Sequence, residues 1–289
     1  MAPITAASGP GFGIGDLIWI FFLFSIIQPL LRQRWIESAR LKMMERLEKK
    51  RKSRVVLLVH RQETMAFLGF PLLRYISVED SEQLVRALRM TDPAMPIDLI
   101  LHTPGGLQMA SLQIANAILH RKGKVTVIVP NYAMSGGTLI ALAADEILMD
   151  EHAVLGPIDP QLDQLPAVSI LAAVRQKSKD EIDDKTLILA DVAEKALAQT
   201  QQQVEALLRK SLPPERAKAL SIELTQGRWT HDYPITCDQA AAIGLPVKRG
   251  VPAEVYELMA LFPQAKHGNV EFVPRIYRPG PAKPPERMP

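Results

Sequence analysis

The chain has 289 residues, 47% of them hydrophobic, and a net charge of +3. That is enough apolar content for one large domain or two small ones. The single cysteine, Cys237, excludes an intramolecular disulfide, and no Cys/His cluster has the spacing of a zinc site, so no metal or cofactor is expected.

Residues 12–31 form an apolar stretch of the length needed to cross a bilayer as a helix. Asp16 would lie near one interface, and Trp19 and Trp35 would serve as interfacial anchors. No Lys or Arg precedes the stretch and no small-residue cleavage site follows it, which argues against a secretory signal. A buried core helix is the other reading. Ten Lys and Arg residues lie between Arg32 and Arg54, against only Glu37, Glu45 and Glu48. By the positive-inside rule, the N-terminus is expected outside and the large C-terminal body in the cytoplasm. The basic run lacks interleaved aromatics, so anionic lipid headgroups are expected as its partner rather than nucleic acid. Four segments follow: an anchor over 1–35, a basic linker over 36–54, a folded domain over 55–266, and a proline-rich, poorly ordered tail over 267–289.

Within the folded domain the pattern alternates. Short apolar runs at 55–59, 97–101, 125–129 and 147–149 predict strands, and the first is suited to burial on both faces. Between them, 77–90 and 108–120 predict helices, the first with Ser77, Asp80 or Ser81 near its start. Strand and helix alternating at this spacing imply an α/β fold with a parallel sheet. A long helical region over 166–209, broken around 179–184, is rich in Ala, Gln, Glu and Lys. A short helix is predicted after Pro213-Pro214, and another over 237–243 is stopped by Gly244.

The segment Tyr132-Ala133-Met134-Ser135-Gly136-Gly137-Thr138 stands between the third strand and a small-residue helix. A serine at such a turn is presented rather than packed, and the following helix aims free N–H groups at whatever binds there. That suits a nucleophile whose attack creates an oxyanion; a helix-capping Ser-Gly-Gly turn is the alternative.

Two glycine turns at consecutive strand ends, His102-Thr103-Pro104-Gly105-Gly106 and the Ser135 turn, occur with Ala143-Ala144-Asp145-Glu146-Ile147 and Leu155-Gly156-Pro157-Ile158-Asp159. Together they resemble the Clp-fold serine proteases, a branch of the crotonase-like superfamily, over roughly 55–247. Within that group the chain is most similar to the membrane-anchored serine dehydrogenase proteinase family, related to signal-peptide peptidase A. The resemblance implies a crotonase/Clp-like spiral of ββα units, polypeptide substrates, a homo-oligomer, Ser135 as nucleophile, and the backbone N–H groups of Gly106 and Gly136 as oxyanion donors.

A serine hydroxyl needs a base. The Clp peptidases use Ser, His, Asp in chain order. Here Asp159 stands where their histidine matches, while His231 lies beside Asp232, which matches their aspartate. The roles therefore read as exchanged, with His231 the base and Asp159 its orienter, an order attributed to the serine dehydrogenase proteinases. Signal-peptide peptidase A uses a Ser-Lys dyad, and Lys195, on a helix after the serine, is the competing base. Extended substrates are expected beside the Pro-Gly-Gly edge. Two other readings stay open at this point: an acyl-CoA enzyme using the same oxyanion hole, and a membrane scaffold without turnover.

Overall fold

The computed structural model describes residues 14–60, 66–67, 70–71 and 74–262. Helix α1 (Ile14–Arg51) runs for 38 residues and joins the apolar stretch and the basic flank into one rod. Trp19, Phe21, Phe22, Leu23 and Phe24 are 56–73% exposed along it. Among the described residues no helix is long and apolar enough to cross a membrane. Part of the expected span over 12–31, namely residues 12–13 and several side chains of its helical portion, lies outside the described residues, as does the tail over 267–289.

The chain then enters β1 (Arg54–Val59) and a small antiparallel pair, β2 (Ala66–Phe67) with β3 (Phe70–Pro71). Helix α2 (Val78–Arg89) starts on a capping box between Ser77 and Asp80, a device that stabilises a helix by about 1 kcal/mol. Strand β4 (Ile97–His102), α3 (Gln108–Leu119), β5 (Val125–Val129), the two-residue β6 (Tyr132–Ala133), α4 (Gly136–Leu142), β7 (Glu146–Met149) and β8 (Val154–Leu155) follow. A hairpin of β9 (Gln161–Leu162) and β10 (Leu165–Pro166) leads to α5 (Ala167–Arg175), α6 (Asp184–Leu208) and α7 (Pro214–Thr225). The chain closes with β11 (Ile235–Thr236), α8 (Cys237–Ala242), β12 (Val247–Arg249) and α9 (Ala253–Ala260).

Strands β1, β4, β5, β7 and β12 form one sheet in the order β1-β4-β5-β7-β12, with every pair parallel. Parallel sheets need both faces covered, and the apolar runs supply a face each way. Val56, Leu58, Leu99, Leu101, Val127 and Val129 share the main core with α2, α3 and α4. Val55, Ile100 and Ile128 form a second cluster with Leu47 of α1 and Val255, Leu258 and Met259 of α9. Helix α1 is thus part sheet cover and part exposed apolar rod.

A second, smaller layer positions the site. Strand β8 pairs parallel with β6 and antiparallel with β11, and isolated parallel bridges join Ile76 to Gly106 and Thr103 to Ala133. Each long strand is therefore followed by a short paired segment and then a helix: β5, β6, α4 is the clearest case. The result is a mixed α/β fold built on a parallel sheet.

Several charges of the basic flank are used within the protein. Arg51 donates to both oxygens of buried Asp98 in β4, at 2.6 and 2.9 Å. Lys50 pairs with Glu254 of α9, and Arg40 donates to the Leu261 carbonyl while lying over the Phe262 ring. These cations anchor α1 to the domain, and Arg54 pairs with Glu48 of the same flank.

Candidate active site

Ser135 occupies the step from β6 into α4 with φ 48° and ψ −113°. A non-glycine residue in that region costs about 1–3 kcal/mol and persists only where its surroundings fix it. They do so here. Met134 N–H donates to the Thr103 carbonyl at 3.0 Å, Gly137 N–H to the Met134 carbonyl at 2.7 Å, and Leu139 N–H to the Ser135 carbonyl at 3.1 Å. The Thr138 hydroxyl donates to the Ala133 carbonyl at 2.7 Å and accepts from Gly156 N–H at 2.9 Å. Thr138 thereby ties the serine turn to the segment that carries Asp159.

The glycine turn at the end of β4 lies against the serine. A Cβ on Gly105 would stand 2.9 Å from Ser135 Cβ, and Gly105 has φ +105°. Gly106, at φ +155°, is held so close to the Ile76 backbone that a Cβ would come within 2.2 Å of its nitrogen. Ile76 N–H donates to the Gly105 carbonyl at 2.7 Å, and Leu107 N–H to the Ile76 carbonyl at 2.9 Å. Among the described residues, the N–H groups of Gly106 and Gly136 have no acceptor within the protein. A Cβ on Gly136 would lie 3.5 Å from the Gly106 nitrogen, which puts the two donors side by side. The bridge to Ile76 uses the Gly105 carbonyl and the Leu107 N–H and leaves the Gly106 N–H unused.

Across the cavity stands the pair from downstream. His231 Nδ1 lies 2.7 Å from Asp159 Oδ1, linking residues 72 apart in sequence. The Asp159 side chain is 1% exposed and that of His231 38%. A buried carboxylate beside Nδ1 calls for a proton on that nitrogen, which leaves Nε2 as the free acceptor. The hydrogen bond to Asp159 holds the His231 imidazolium above its ordinary pKa, against the opposing effect of burial. The second oxygen, Asp159 Oδ2, accepts from Gln161 Nε2. Gln161 sits on the β9–β10 hairpin, whose two turn residues, Asp163 and Gln164, both have positive φ.

Ser135, Gly106, Gly136, Asp159 and His231 all line one cavity of about 380 Å³, with Tyr75, Leu107, Gln108, Leu139, Ile158, Gln161 and Thr200. Among the described residues no direct hydrogen bond joins Ser135 to His231; such contacts often tighten only around substrate. Lys195 lies elsewhere. Its side chain is 67% exposed, bonds Asp191 one turn earlier on α6, and lines no part of this cavity. No group of acidic, His or Cys side chains among the described residues could hold a metal. Sequence reasoning missed Gln161, because a lone glutamine two residues after the aspartate carries no pattern of its own.

The chain matches, over residues 8–285, the family described as ClpP-like SDH-type serine proteinase. Two uncharacterized proteins of Methanocaldococcus jannaschii, MJ0137 and MJ1495, are 52% and 48% identical to it. The alignments cover 90% and 91% of this chain, and 92% and 90% of theirs. Among solved structures, a serine-to-alanine mutant of the 1510-N membrane-bound stomatin-specific protease has a TM-score of 0.44 and 22% identity, covering 65% of this chain and 79% of its own. A lysine-to-alanine mutant of the same protease, in complex with a substrate peptide, has a TM-score of 0.43 and 23% identity, covering 63% and 74%. Likeness at that level carries no argument about this chain. The family match, spanning nearly all of the sequence, does: the chain belongs to the ClpP-like SDH-type serine proteinases.

Proposed function

We propose that this serine protease is an endopeptidase that uses Ser135 as nucleophile, His231 as base and Asp159 as the group that orients the base. His231 Nε2 takes the proton from Ser135 Oγ as the oxygen attacks the scissile carbonyl. The negative charge that develops on the carbonyl oxygen is received by the N–H groups of Gly106 and Gly136. The imidazolium, steadied by Asp159, gives its proton to the leaving amine, and a water molecule then releases the acyl group by the same steps in reverse. The observation that carries this reading is the convergence on one cavity of a serine, two unused N–H donors and a histidine bonded to a buried carboxylate. Purified protein is expected to cleave casein, and Ser135→Ala to abolish the cleavage. Equal turnover by the two proteins would refute it.

The same reading places the enzyme at a membrane, as a homo-oligomer with its catalytic body on the cytoplasmic side. Its support is the exposed apolar set Trp19, Phe21, Phe22, Leu23 and Phe24, on one helix with the basic residues that follow. Partly exposed arrays of that size rarely face water alone, and the adjoining cations suit anionic headgroups. Expressed protein is expected to stay with the membrane pellet through alkaline carbonate extraction.

A further inference from the structure

Behind the oxyanion turn lies a buried histidine that the mechanism does not use. His60 follows the last residue of β1, is 4% exposed, and its N–H donates to the His102 carbonyl at 2.7 Å. Its Nδ1 lies 2.9 Å from the Thr103 hydroxyl, and its Nε2 lies 3.4 Å from Asp80 Oδ2 at the N-terminus of α2. Asp80 is held in turn by the Ser77 N–H and hydroxyl, at 2.8 and 2.9 Å. The Thr103 hydroxyl also accepts from Gly105 N–H at 3.2 Å.

The Thr103 hydroxyl hydrogen has two acceptors within reach, His60 Nδ1 at 2.9 Å and the Gly105 carbonyl at 3.4 Å, and the shorter contact is favoured. A carboxylate accepts, so the proton of neutral His60 sits on Nε2, facing Asp80. Nδ1 is then an acceptor, and Thr103 donates its hydroxyl hydrogen to it. With that hydrogen committed, the lone pairs of Thr103 point to Gly105 N–H. The chain of bonds runs from Gly105 through Thr103 and His60 to Asp80, and it sets the turn whose next residue is Gly106.

Resting on the reading of Gly106 N–H as an oxyanion donor, we infer that His60 and Thr103 are positioning residues that fix the Gly105-Gly106 turn so that this N–H faces the reacting carbonyl. Neither side chain lines the catalytic cavity, so neither touches substrate. Their contribution is to transition-state stabilisation and not to substrate binding.

The relay requires neutral His60. Burial lowers its pKa, Asp80 opposes that, and Arg74 adds to the lowering. A second cavity, lined by Glu37 and Arg40 of α1 and by Arg74 and Asp80, reaches the imidazole. The relay is intact above the ordinary histidine value and changes as pH falls through the lowered one, when Nδ1 becomes a donor and the Thr103 hydroxyl must turn its hydrogen from Nδ1 to the Gly105 carbonyl, 3.4 Å away.

The test is steady-state peptide cleavage by the full chain in detergent. His60→Leu and Thr103→Val are each expected to lower kcat about 10- to 100-fold, less than the roughly 10²–10³-fold cost of deleting an oxyanion donor outright, with KM within about twofold. His60→Asn, which offers an amide oxygen near the position of Nδ1, and Thr103→Ser, which keeps the hydroxyl, should each recover most of the loss. The double variant H60L/T103V should be no slower than the slower single variant, because both break one chain. Unchanged kcat in soluble Thr103→Val, multiplicative losses in the double variant, or failure of both conservative variants to recover activity would each overturn the inference. Failure of the underlying protease reading shows differently, as a wild-type protein that cleaves no peptide.

Discussion

The two banks of the catalytic cavity are built by different means. The bank carrying Ser135, Gly106 and Gly136 is backbone: two glycine turns at adjacent strand ends, bridged to each other and closed by hydrogen bonds of 2.7 to 3.1 Å around Met134, Ser135 and Gly137. The opposite bank is side chain: an imidazole and a carboxylate from segments 72 residues apart, joined by one 2.7 Å bond, with Gln161 behind. A backbone bank is set when the sheet folds and pays no rotamer entropy at the moment of reaction. A side-chain bank is set by single contacts, so one substitution can remove its function without disturbing the fold. The nucleophile and its oxyanion donors should therefore survive changes that silence the base.

The largest break should come at the base. His231→Ala is expected to lower kcat/KM by about 10⁴-fold while leaving the thermal unfolding midpoint within a few degrees, since the side chain is only partly buried. Loss of both fold and activity would contradict the separation of the two banks.

Asp159→Asn should cost about 10²–10⁴-fold and also move the pH profile. The Asp159 carboxylate raises the pKa of His231, so the wild-type acid limb should lie above the ordinary histidine range, with activity rising as pH climbs through it. Removing the carboxylate should shift that limb to lower pH. The linkage has the opposite sense for stability: the charged His231–Asp159 pair contributes below the ordinary histidine pKa and its contribution is lost as pH rises through the raised one. An acid limb that stays in place in Asp159→Asn would show that another group titrates.

The smallest effect is expected at Lys195. It is exposed and paired with Asp191, and exposed helix pairs contribute little. Lys195→Ala should leave kcat/KM within about twofold; a loss comparable to that of His231→Ala would hand the role of base to the lysine.

The same contrast explains what could be read from the sequence. The five-residue apolar runs and the Ser135 turn are local, and the strands at 54–59, 97–102, 125–129 and 146–149 fall where hydrophobic patterning places them. Gly244 ends α8 with φ +88°, as a helix-stopping glycine does. Pairing of His231 with Asp159 has no local signal. Both residues are legible only through family resemblance, and no spacing rule brings residues 72 apart to one point. Strand β12, Val247–Arg249, carries no such signal because it is short and basic, and among the described residues it pairs only with β7 at the sheet edge. Helix α9 escaped because its apolar face, Val255, Leu258 and Met259, is decipherable only once Leu47 of α1 is known to lie against it. The relay behind the oxyanion turn is equally non-local: a histidine, a threonine and a helix cap from three segments.

The most direct measurement is the pH dependence of covalent inactivation by a fluorophosphonate, with the modified residue mapped by mass spectrometry in wild type and in His231→Ala. Labelling confined to Ser135, with a rate that rises through the raised His231 pKa and collapses in His231→Ala, is the predicted result. Labelling at another residue, or a rate at Ser135 unaffected by loss of His231, would contradict the assignment of nucleophile and base.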